Sequence, residues 1–180
     1  YTPIFVVIFV GVVLTALGSA YYHWAPDNQT LIWDRLPMTI VMMGFFTYLL
    51  TDCIGPALRW LLWPLLILGL FSVWYWAWTE TKAVGDLRLY GLVQFLPIAL
   101  MPLVLFLFPC DKSELRCYIG LLLSYGLAKL LEHFDVAVWT LLEWVSGHTL
   151  KHLAAAVGTY FIILLLKAYA ERELARPENL

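Results

Sequence analysis

Five stretches of this chain, residues 3–22, 58–78, 87–108, 117–134 and 148–169, run for close to twenty residues with few charges. About 20 apolar residues in a helix cross the roughly 30 Å of hydrocarbon in a bilayer. Inside lipid every backbone amide must find its partner within the protein, so such runs are expected as spanning helices. A sixth stretch, residues 32–50, is as long but opens on Asp34 and Arg35. Residues 136–145 are too few to span and are expected as a re-entrant or interfacial piece. The chain is 62% hydrophobic and 13% charged, against about 25% charged in soluble domains. That balance excludes a water-soluble globule, and the density of large apolar residues excludes a disordered chain. A net charge of −2 gives no reason to expect a nucleic-acid partner.

The expected fold is therefore an all-α membrane protein, an antiparallel bundle of about six transmembrane helices over residues 1–170, followed by a polar tail, 171–180. The connections carry turn chemistry at residues 25–30, 51–56, 80–86 and 109–113, and their brevity makes sequential helices antiparallel. Tyr21, Tyr22 and Trp24 close the first helix and Trp74, Trp76 and Trp78 the third, where aromatic rings suit the headgroup region. Pro97 and Pro102 should bend the fourth helix. No internal repeat of the transporter kind is present in the sequence. Residues 4–10 lack a basic flank and a small-residue cleavage site, so they are read as a span rather than a signal peptide. Cys53, Cys110 and Cys117 have no metal or disulfide spacing and are read as packing residues. Counting crossings puts Arg59, Lys112, Arg116, Lys167, Arg172 and Arg176 on one face and mainly Arg35, Lys82 and Arg88 on the other, which predicts a cytoplasmic tail. The membrane expected is the inner membrane for a bacterial chain and the ER or Golgi for a eukaryotic one.

Ionisable groups in membrane helices are costly, so each is a functional hypothesis. Ser19 and His23 lie four apart at the end of the first helix, on one face. Asp34 opens the second helix a short turn away, and His148 and His152, again four apart, start the last. By the antiparallel count all five share a membrane face. Two histidines at i and i+4 with a third from another helix make a catalytic zinc site with one position left for water. Zinc brings the pKa of a bound water toward about 7; Asp34 could carry its proton, and Ser19 could donate to a developing oxyanion. The alternative is that such histidines only bond backbone carbonyls or sit at the interface. His133 is expected to be interfacial, Lys129 and Glu132 an ion pair, and Lys151 a snorkelling side chain. The sequon at Asn28-Gln-Thr30 is of a kind common by chance.

Three segments, Gly18-Ser-Ala-Tyr-Tyr-His-Trp24, Trp33-Asp-Arg-Leu-Pro-Met38 and Ser146-Gly-His-Thr-Leu-Lys-His152, together resemble the alkaline ceramidases and their bacterial ceramidase-like relatives. These are members of a wider group of seven-helix membrane hydrolases that includes the progestin and adiponectin receptors. The resemblance covers nearly the whole chain. It implies Zn2+ held by His23, His148 and His152, with Asp34 and Ser19 beside the attacking water. It also implies hydrolysis of the amide of ceramide or a ceramide-like membrane lipid to a long-chain base and a fatty acid. The rival readings are a lipid ester hydrolase of the same group and a receptor-like protein with a structural zinc. With seven helices in the family against about six here, the resemblance implies that the first family helix should lie upstream of Tyr1. Arg35 stands where the animal ceramidases have an acid.

Overall fold

A computed structural model describes residues 1–108 and 110–175. The described residues form seven α-helices and no strand: α1 (Thr2–Trp24), α2 (Thr30–Cys53), α3 (Leu62–Glu80), α4 (Arg88–Leu107), α5 (Lys112–His133), α6 (Asp135–Leu142) and α7 (Gly147–Ala175). A 3-10 turn, Pro56–Leu61, leads into α3. Five helices are long and apolar enough to cross a membrane: α1, α2, α3 with its leading turn, α4 and α7. The expected sixth stretch, residues 32–50, lies in α2 and is among these five; the run 117–134, expected as a span, forms a helix, α5, which with Glu114, Arg116, Lys129 and Glu132 along it is not one of the five. Pro109 of the fourth connection, Arg176 and tail residues 176–180 lie outside the described residues.

The helices form two compact units, Tyr1–Pro109 and Cys110–Leu180. In the first, α2 is the central element and packs on α1, α3 and α4. Its Met43, Phe45, Tyr48 and Leu49 are nearly inaccessible. Lipid offers no hydrophobic drive between apolar helices, so close approach depends on small residues. Gly11 meets Ile40 and Val41, Gly44 meets Ile8, and Gly69 of α3 meets Thr39 and Met43. The paired numbers run in opposite senses along α1 and α2, which makes the two antiparallel. Tyr1 completes that pairing by donating its hydroxyl to the Thr51 carbonyl at 3.1 Å. The buried hydroxyls of Thr47, Thr51, Ser72 and Thr79 bond carbonyls of their own helices, which satisfies these four donors in apolar surroundings.

Gly18 is the tightest of these approaches. A Cβ there would collide with the carbonyl of Trp33 and crowd the Asp34 amide. In a regular helix the amide of residue 37 would bond that carbonyl, but residue 37 is Pro37, which has no N–H. The motifs at 18–24 and 33–38 are thus locked together by a glycine on one side and a proline-freed carbonyl on the other.

In the second unit α5 and α7 pack together antiparallel. Gly120 faces the Phe161 ring, Gly158 approaches Ser124, and Arg172 bonds the buried Glu114 at 3.0 Å. The short α6 buries no residue; Val136, Leu141 and nearby Trp144 are each more than three-quarters exposed, as suits an interfacial piece.

Candidate metal and lipid site

The last two turns of α1 carry Ser19, half-buried, and His23, exposed; Asp34, half-buried, lies on α2 beside the Gly18 contact. The turn between them is pinned. Asp27 accepts the amides of Thr30 at 2.6 Å and Gln29 at 2.8 Å, and the Thr30 hydroxyl donates to the Ala25 carbonyl at 2.8 Å. These bonds, first the Thr30 amide, hold the Asp27 carboxyl below its ordinary range. Thr30, the sequon threonine, is 5% exposed, and its hydroxyl is used within the turn, accepting the Asp27 amide at 3.1 Å.

In the second unit, α7 begins in a second lock. A Cβ at Gly147 would meet the Leu131 carbonyl and the Asp135 backbone, and the His148 amide donates to Asp135 Oδ1 at 2.6 Å. Ser146 caps the same turn through its hydroxyl, which accepts the Thr149 amide at 3.1 Å. His148 and His152 then stand on one face with their Nε2 atoms 3.3 Å apart. Lys151, expected to snorkel, instead turns to α5 and bonds Glu132 at 2.7 Å. Lys129 bonds the other oxygen of that carboxylate at 2.8 Å, as the spacing of three predicted. With Glu132 41% exposed this is a half-solvated triad rather than an interior pair. His133 is exposed with its ring against Phe134, as an interfacial histidine should be.

Sequence reasoning passed over Asp135, Gly18 and Gly147. Asp135 was legible only as a neighbour of His133, because its partner is a backbone amide thirteen residues on. The glycines sit inside the motifs but declare their purpose only through a backbone on another helix.

The donor chemistry of the histidine pair can be tested against a metal. Two nitrogens each about 2.0–2.1 Å from one tetrahedral zinc lie about 3.3 Å apart. The observed Nε2 separation fits, although a single proton shared between the rings gives a similar distance. What the fold and site define is an all-helical protein with five potential spans and a histidine pair opening its last helix. Compared with protein-family models, with curated proteins and with solved structures, the chain matches none.

Proposed function

We propose that the protein is a zinc-dependent intramembrane amidase that cleaves ceramide or a ceramide-like lipid to a long-chain base and a fatty acid. His148 and His152 supply two ligands and His23 the third. The observation that carries the reading is the 3.3 Å between the two Nε2 atoms on a helix start held by Asp135, Ser146 and Gly147. When bound, zinc would acidify a water and polarise the lipid carbonyl. Asp34 takes the proton from the attacking water and returns it to the departing amine, a step an amide requires more than an ester does. Ser19 donates to the oxygen on which negative charge develops. Asp135, bonded to the His148 amide, positions a ligand without touching substrate. The five apolar spans support a lipid substrate, whose acyl chain can lie among exposed Leu, Phe and Val side chains. The charge count of the loops supports a cytoplasmic C-terminal tail.

The deciding experiment is mass spectrometry of products after incubation with ceramides, phospholipids and acyl esters, comparing wild type with His23→Ala. Fatty acid should be released fastest from the N-acyl lipid and be lost in the variant. Release only from esters would make it a lipase-like relative. No release from any lipid would leave the receptor reading.

A further inference from the structure

Arg35 is the one charged residue of the 33–38 motif with no part in the proposed chemistry. Its guanidinium carbon lies 4.2 Å from the centre of the Trp76 ring on α3 and 5.1 Å from that of Tyr90 on α4. Both rings are buried. Arginine stays charged in any protein environment, and ring stacking satisfies only the faces of its plane, not the N–H groups along the edge. Here that edge is unmet: Nη1 is sealed from solvent without an acceptor, and Arg35 makes no hydrogen bond or ion pair to a described residue. No described carboxylate at this end of the unit meets it: Asp34 beside it forms no ion pair with it, and Asp27 takes the Gln29 and Thr30 amides. Glu80 takes the Asn28 amide at 2.7 Å, and Asp86 takes Arg88 at 2.7 Å and Tyr75 at 3.3 Å. A partly desolvated cation at the end of apolar helices is costly unless an anion completes it.

We infer that Arg35, caged by Trp76 and Tyr90, receives the oxyanion of a phosphorylated ligand, its planar fork being suited to two oxygens of one phosphate. Arg35 is half-buried rather than enclosed, so a group can approach the guanidinium from its open side, while the sealed Nη1 is reached only by a small shift of the side chain. It directly follows Asp34 on α2, within the exposed tryptophans Trp24, Trp33, Trp74 and Trp78 that mark headgroup depth. On the reading of this end as a lipid hydrolase site, on which the choice of lipid probe rests, Arg35 is a specificity residue that favours a phosphate-bearing headgroup over a neutral one.

Binding is measured without turnover, by native mass spectrometry of the full chain released from micelles. The probes are ceramide, ceramide bearing a phosphate monoester, and inorganic phosphate. Wild type should hold the phosphorylated lipid about tenfold more tightly than the neutral one. Arg35→Gln should abolish that preference, and Arg35→Lys should restore only part of it. Displacement of the phosphorylated lipid by millimolar inorganic phosphate supports the oxyanion site and makes the free ion its source; resistance makes it a headgroup site. Equal wild-type affinity for the two lipids, or an unchanged preference in Arg35→Gln, overturns the inference. Should Arg35→Gln not fold, the wild-type comparison alone decides. Retained selective binding with no hydrolysis would sink the amidase reading and leave this one standing.

Discussion

Asp34 and the two helix-seven histidines should separate cleanly by substitution. His148→Ala or His152→Ala should remove most of the roughly one zinc per chain expected in purified protein, read by elemental analysis. Asp34→Asn should keep the metal and lower turnover by about 10²-fold or more, since it removes only the proton carrier. Normal hydrolysis by Asp34→Asn would end its proposed role, and protein purified away from chelators with no transition metal would end the whole reading. Glycines offer a test independent of activity. Gly18→Ala drives a Cβ into the Trp33 carbonyl and should cost about 1–3 kcal/mol of stability, as overpacking does. Gly91, with nothing within 4 Å of an added Cβ, should gain about 0.5–1 kcal/mol on the same change in α4. Thermal unfolding in detergent reads both, and equal shifts would mean that the α1–α2 contact is looser than it looks. Ser19, His23, Asp34, His148 and His152 were legible because four-residue spacing and scarcity of charge single them out. Gly18 and Pro37 were not, because their meaning is a collision and a missing hydrogen bond across two helices.

Among the elements, α7 and the α3–α4 corner carry separable expectations. Asp135 acts as an external cap for the first turn of α7, so Asp135→Ala should cost about 0.5–2 kcal/mol. It should also speed amide exchange at residues 147–150, where the lost bond lies. Exchange at unchanged rates would show that Ser146 alone suffices. At the corner, Asp86 is held below the ordinary carboxylate value of 3.8, first by side-chain and backbone bonds from Arg88 and also by the Tyr75 hydroxyl. A carboxyl with a depressed folded pKa stabilises above its unfolded value and loses that contribution as pH falls toward the folded one. Asp86→Asn should therefore lower the unfolding temperature at neutral pH, by a gap that narrows as pH drops below about 4. A gap constant with pH would assign the effect to the Thr79 and Tyr75 contacts instead. Helix existence was readable throughout from apolar runs, and α6 from its brevity. The run at 117–134 reads as a span for its leucines; over the whole of α5, Glu114, Arg116, Lys129 and Glu132 set it apart from the five helices apolar enough to cross, and packing pairs three of those charges.

For the molecule as a whole, five helices long and apolar enough to span predict that an alkaline carbonate wash leaves the protein in the membrane pellet, and release into the supernatant would count against spanning. Within the first unit, Trp60 and Trp63 are exposed at one end and Trp24, Trp33, Trp74 and Trp78 at the other. Quenching by lipids brominated near the headgroup should exceed quenching by lipids brominated deep in the chain. The sequence by itself determined the all-helical class, the presence of helices long and apolar enough to cross a membrane, and the residue types able to hold a metal. It could do so because hydrocarbon thickness, backbone satisfaction and helical period act on local stretches of chain. Tertiary structure decided that α2 is the centre of its unit, that Lys151 faces Glu132, that Asp135 holds His148 and that Arg35 lies unpaired between two rings. Each of those depends on a partner supplied by another helix, and no local stretch of sequence encodes where that partner will be.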